Sequence, residues 1–180
     1  MEVHLDLDQN RYSGIPLRQE PVDFCAMSSV FRDYSTHAFE ASEDVLLFPR
    51  FQWVSLRARA YRWRSIKSIA KDAEKCTKKM AKMPATPHED IAILIAIYNR
   101  LKTFRIFPLS CIPDSLACLF FLVNEGCKAN FVIGVRENPF MAHAWLEING
   151  AVANDVVANV FHYTPILETA NEDYLRQVSG

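Results

Sequence analysis

Three residues able to do amide chemistry follow one another in the C-terminal half of the chain: Cys111, His143 and Asp155. Cys111 opens "CIPDSLACLFFLVNEG", which reads as a helix. Pro113 is tolerated in its first turn, where backbone N–H groups lack intrahelical partners anyway. A thiol at such a start meets unpaired N–H groups and the positive end of the helix dipole. Both favour the thiolate and lower its pKa from about 8.5. The same N–H groups suit the oxyanion formed when a thiolate attacks a carbonyl. Cysteine is also a common small core residue, and position alone leaves both readings open.

His143 stands in "AHAWLEI" and, by the period of two, shares a strand face with Trp145 and Glu147. Beside a tryptophan it reads either as a satisfied, partly buried side chain or as a base. Asp155 interrupts the β-prone run "AVANDVVANV", for which an Asn-Asp turn would be reason enough. Loop length weighs the pair. If Asn149-Gly150 is a two-residue hairpin loop, Ala144 faces Asp155 and His143 points from the opposite face. If the loop is Ile148-Asn149-Gly150, with Gly150 left-handed in a bulge, His143 faces Asp155. Opposed side chains then lie about 5 Å apart at Cβ. A catalytic pair on this reasoning requires the three-residue loop or an equivalent bulge.

The five cysteines are odd in number and lack CxxC spacing, which argues against a disulfide framework and a zinc knuckle. Cys118, seven residues after Cys111, reads as core. Grouping Cys111, Cys118 and His143 as metal ligands matches no common spacing.

The elements that must position these residues follow from periodicity. "VHLDLD" alternates as a half-buried strand, and a second strand begins at Tyr12 after a turn at 8–11. Residues 21–50 are poorly periodic, with one short helix expected over 22–31 and a loop ending near Pro49. Ile66, Ile69, Ala70, Ala73, Cys76 and Met80 recur at helical steps, with Lys67, Lys71, Lys75 and Lys79 opposite. This basic helix, spanning Arg57 to Lys82, ends before "MPATP", the best boundary in the chain. A helix from Thr86-Pro87, the helix at Cys111 and strands over 130–135, 142–148 and 151–157 then follow. Gly126 reads as a C-terminal cap, and Leu116, Leu119, Phe120 and Val123 as the buried stripe. Helices followed by strands imply an α+β domain with an antiparallel sheet. The expected organisation is an N-terminal β-containing segment (1–50), a basic helix (51–83) and a catalytic domain (84–180).

Half the residues are hydrophobic and 23% are charged, the composition of a globular chain rather than a disordered one. No run is long enough to span a bilayer, and the acidic, alternating N-terminus is not a secretory signal, so a cytoplasmic location is expected. The net charge of -1 hides an asymmetry: residues 57–82 hold ten of the twenty basic side chains and two acids. Such a helix, with Trp53, Tyr61 and Trp63 at its start, suits nucleic acid, an anionic membrane or an acidic partner. The plainer reading, and the favoured one, is a solvated face packed on the remaining domain.

From Cys111 to Asp155 the chain resembles a known family. The cysteine followed by "DSL", the "FVIGVR…PF" strand and loop, and "AHAWLEINGAVAND" resemble the lasso-peptide B proteins. These are transglutaminase-like (papain-like) cysteine peptidases that remove the leader from a ribosomally made lasso precursor. The resemblance implies Cys111 as nucleophile, His143 as general base and acid, and Asp155 as its orienting partner. It implies no cofactor, ATP entering only through a partner asparagine-synthetase-like cyclase that closes the macrolactam. It also implies the precursor's leader region as binding partner, or a separate leader-binding protein. "HLDLDQNRYSGIPL" is similar to the opening hairpin of the family's leader-recognition module, and the resemblance implies a segment that is either an abridged leader-binding module or one that has lost leader binding. A transglutaminase-like acyltransferase or amidase would use the same triad on another amide.

Overall fold

The computed structural model describes residues 3–6, 11–14, 41–84, 88–123, 125–148 and 150–169. Two short strands, β1 (Val3–Asp6) and β2 (Arg11–Gly14), pair antiparallel. Helix α1 (Ala41–Arg59) runs through a 3-10 turn (Ala60–Trp63) toward α2 (Ile66–Ala81), and α3 (His88–Leu101) follows. Helix α4 (Cys111–Leu122) precedes β3 (Ala129–Arg136), β4 (Met141–Ile148), β5 (Ala151–Val152), the single turn α5 (Val157–Val160) and β6 (Thr164–Glu168). The last four strands form an antiparallel sheet in the order β5-β4-β3-β6. The architecture is α+β, as the element order implies.

Helix α4 is apolar all round, a pattern that suits burial on every side. Every residue from Ser115 to Val123 is buried, so the expected stripe of four is too narrow. It is the axis of the main core. Phe51, Val54 and Ala58 of α1, Ile69 and Ala73 of α2, and Ile95 and Tyr98 of α3 surround it. Phe131, Ile133, Val135, Ala144, Leu146 and Ile148 close it from one face of the sheet. The other face carries a smaller cluster in which Val132, Trp145, Val152 and Val160 pack with Val157 and Tyr163.

Four expectations need correction. The expected loop ending near Pro49 is helix: Pro49 lies inside α1, whose Phe51, Val54 and Ala58 are buried, and tertiary burial overrides a weak periodic signal. The basic helix is two helices, parted where Ser65 is extended and its side chain caps α2 by accepting from Ser68 N–H. The third strand stops at Val152, and residues from Val157 form a helical turn instead. A fourth strand, β6, is not visible in the sequence because "TPILE" is short and has a proline at its second residue. The helix expected over 22–31 and the Thr86-Pro87 start expected for the later helix lie outside the described residues.

Candidate active site

Cys111 is the first residue of α4, preceded by the extended Ser110. The helix start is held by Asp114, whose carboxylate meets Arg105 Nη1 and Lys102 Nζ, each at 2.8 Å. Tyr98, fully buried, donates its hydroxyl to the Asp114 carbonyl at 2.9 Å. At the other end Arg50 of α1 donates to the Phe121 carbonyl and pairs with Glu125. Charge is thus used to anchor both ends of a helix that otherwise offers only apolar surface.

The sheet supplies the histidine. Along β4, Ala144 and Leu146 turn their backbone groups toward the β5 side, and β5 is too short to cover Ala144. The N-terminal turn of α4 fills that gap: Ser115 Oγ donates to the Ala144 carbonyl at 2.9 Å, and Ala144 N–H points to the Cys111 sulfur. His143, one residue earlier, therefore reaches the sulfur across an open strand edge. Its ring stacks on Trp145 at 6.1 Å and lies against Tyr163 at 5.3 Å. Its Nε2 donates to Asp155 Oδ2 at 2.6 Å, leaving Nδ1 for the sulfur. The other Asp155 oxygen accepts from Val156 N–H (2.7 Å) and Asn159 Nδ2 (2.8 Å).

The three residues singled out in the sequence are thus brought together, though not through the three-residue loop that strand register would require for the pair. Ile148 pairs with Ala151, so two positions rather than three separate the strands, and Gly150 has φ 80°. Register alone would send Asp155 to the wrong face. The ladder ends first: Ala153 N–H still donates to the Leu146 carbonyl at 2.8 Å, but the next bond is made by a side chain. Leu146 N–H donates to Asn154 Oδ1 at 2.8 Å, the backbone bends over 153–155, and Asp155 swings to His143. Neither Asn154 nor Ser115 was foreseen as part of the site. The signal lay in a polar residue inside an apolar run in each case.

The electrostatics favour an ion pair. Burial pushes the Cys111 thiol up, but the hydrogen bond and charge of His143, with the Ala144 and Ile112 N–H groups, outweigh it and hold the thiol below its ordinary value. The Asp155 hydrogen bond, then the contact with Cys111, push His143 up to about 9. Burial pushes Asp155 up, while His143, Asn159 and Val156 N–H together bring it down. A thiolate facing an imidazolium, with helix-start N–H groups beside it, suits nucleophilic attack on an amide carbonyl.

By contrast Cys118 and Cys127 are buried, and burial drives the Cys118 thiol well above its usual range. Among the described residues no cluster of His, Cys, Asp and Glu is arranged to hold a metal ion. No described helix is long and apolar enough to cross a membrane. A cavity of about 290 Å³ opens between α1 and residues 105–107, and none of Cys111, His143 and Asp155 lines it.

The family description "Transglutaminase-like superfamily" matches residues 53–168, which span α1 to β6 and contain Cys111, His143 and Asp155. The chain belongs to the transglutaminase-like superfamily. It is 42% identical over 51 residues to the Microcin J25-processing protein McjB of Escherichia coli. That stretch covers 28% of this chain and 24% of McjB. No solved structure matches the chain.

Proposed function

We propose that this transglutaminase-like chain is a cysteine peptidase that removes the leader from a ribosomally made lasso-peptide precursor. Cys111 is the nucleophile, His143 the general base and acid, and Asp155 the residue that orients it. The observation carrying the reading is the His143 ring held between the Cys111 sulfur and the Asp155 carboxylate, 2.6 Å from Nε2. The partial identity to a microcin-processing protein supports the substrate class.

In the proposed reaction the Cys111 thiolate adds to the scissile carbonyl, and its oxyanion turns to the N–H groups at the start of α4. His143 Nδ1 protonates the departing amine, which leaves as the free N-terminus of the core peptide. His143 then takes a proton from water, which attacks the thioester and releases the leader carboxylate together with the Cys111 thiolate. A partner cyclase of the asparagine-synthetase type would consume the freed amine in closing the macrolactam. Location in the cytoplasm, where precursor and cyclase are made, belongs to the same reading.

Incubating the protein with a lasso precursor, with and without cyclase and ATP, and weighing the products tests it. Leader release should vanish in Cys111→Ala and His143→Ala. Undiminished cleavage by Cys111→Ala would end the proposal. Products heavier by an added amine would favour acyl transfer on the same thioester instead.

A further inference from the structure

Between Cys111 and Asp155 lies a buried polar network that touches no reacting atom. Asn154 is 5% exposed and Ser115 fully buried. Asn154 Nδ2 donates to Ser115 Oγ at 3.0 Å, Ser115 donates to the Ala144 carbonyl at 2.9 Å, and Leu146 N–H donates to Asn154 Oδ1 at 2.8 Å. Every polar atom of the two side chains is engaged in its main role, so the network is satisfied rather than strained. The backbone around it is gripped as well. Lys102 Nζ donates to the Asn154 carbonyl at 3.1 Å while pairing with Asp114, and Asn99 Nδ2 donates to the Ala153 carbonyl at 3.3 Å.

We infer that Ser115, Asn154 and Lys102 form a clamp that sets the distance between the nucleophile, the histidine and the aspartate. The inference rests on the reading of Cys111, His143 and Asp155 as a catalytic triad. Three separate elements carry the triad, and the clamp touches each of them next to its catalytic residue. Ser115 lies one helical turn beyond Cys111, on the same side of α4. The carbonyl it binds belongs to Ala144, the neighbour of His143. Asn154 is the neighbour of Asp155, and its side chain replaces the backbone in the ladder at the point where the chain must bend. Lys102 joins the start of α4, through Asp114, to that same bend.

A strand pair of strict register would have put Asp155 on the face away from His143, as the alternation of side chains requires. The bend is therefore indispensable to the triad, and the clamp ties it to α4 and β4, while Asn99, Val156 and Asn159 hold its backbone and the Asp155 carboxylate. Ser115, Asn154 and Lys102 are positioning residues: they act on the chemistry only by fixing where the imidazole stands against sulfur and carboxylate. Loss of the clamp loosens the ion pair before it loosens the fold.

Alkylation of Cys111 by iodoacetamide, followed across pH by mass spectrometry of the Cys111 peptide, reads the ion pair without needing a substrate. In the unaltered protein the midpoint should lie below that of an ordinary thiol. Ser115→Ala and Asn154→Ala should each raise it by about one pH unit, a tenfold loss of thiolate at lower pH. The double variant should be little worse than either, because the two side chains act as one unit. Thr77→Ala is the control. It breaks a comparable set of bonds, to the Ala129 carbonyl and Thr169, at the opposite end of β3, and should leave the midpoint in place. Lys102→Met, at a side chain 31% exposed, keeps the apolar stem and tests the clamp should the buried variants fail to fold; it should raise the midpoint too. Folded variants of Ser115, Asn154 or Lys102 with an unmoved midpoint would overturn the clamp while leaving the triad standing. An ordinary midpoint in the unaltered protein would overturn both.

Discussion

At the scale of single residues, the site depends on two shifts of opposite sign. His143 is raised to about 9, with the Asp155 hydrogen bond the largest cause, and Cys111 is lowered against the opposing effect of burial. The thiolate-imidazolium pair therefore exists from below the ordinary thiol range up to about pH 9. Alkylation or cleavage should rise as Cys111 ionises, and cleavage should fall as His143 loses its proton on the alkaline side. Asp155→Asn removes the largest support of the imidazolium. It should draw the alkaline limb of the cleavage profile down from about 9 toward 6.5 and lower the rate on the order of a hundredfold. A pH-rate profile with an unmoved alkaline limb would contradict this assignment. The same shifts bear on stability. His143 has its folded value above its unfolded one, so its contribution is full below 6.5 and lost as pH rises through about 9. Asp155 has its folded value lowered, so its contribution is present above the unfolded value and lost as pH falls through the folded one.

At the scale of elements, the β3–β4 pair does more than carry the histidine. Gly134 lies directly opposite His143, and an added Cβ there would stand 2.7 Å from Trp145 Cη2 and 3.0 Å from Tyr163 Cβ. Those two rings are the ones that flank the His143 imidazole. The glycine is thus needed for close approach of an indole across the strand, a role distinct from a turn. Gly134→Ala should force Trp145 and Tyr163 outward and destabilise the protein by about 1–3 kcal/mol. Thermal unfolding would measure the loss, and a slower Cys111 alkylation at neutral pH would report the displaced imidazole. The register of β4 with β5 teaches the complementary point. A two-residue connection turns Asp155 away from His143 only where the ladder continues as far as Asp155. The ladder is ended by an asparagine side chain binding Leu146 N–H, and no periodicity marks such a substitution.

At the scale of the whole molecule, α1 and α2 belong to the same core as α4 and the sheet that bear the candidate site. Phe51 of α1 is fully buried, edge-on to Tyr98 at 5.4 Å, and Tyr98 in turn holds the Asp114 carbonyl three residues past Cys111. Phe51→Ala should cost about 3–5 kcal/mol. It should lower the midpoint of a single unfolding transition seen alike by circular dichroism and tryptophan fluorescence. Two separate transitions would mean that α1 and α2 form a unit of their own. The basic residues of α2 point the other way: Lys71, Lys75 and Lys78 are exposed, and Lys75 and Lys78 pair with Asp72 and Glu74 on the same helix. A solvated face of locally paired charges accounts for them. Lys71→Glu should change stability by less than about 0.5 kcal/mol, measurable as an almost unmoved thermal midpoint.

The sequence by itself marked Cys111, His143 and Asp155 as the candidate residues and determined most of the elements that bear them. A cysteine at a helix start, a histidine in an apolar strand and an aspartate in a β-prone run each break a local pattern, and local patterns are what a sequence displays. It also determined the α+β class, since periods of 3.6 and 2 follow one another in blocks. Only the tertiary structure decided that Pro49 sits inside a helix, that β5 stops after two residues and that α5 replaces the rest of that strand. Each of these depends on what lies across the core or the sheet edge, where the gain from burial or from one side-chain hydrogen bond outweighs the local preference. The tertiary structure also decided how Asp155 reaches His143. That depends on Asn154 finding Ser115, 39 residues distant in the chain, and no spacing within the hairpin could have foretold it.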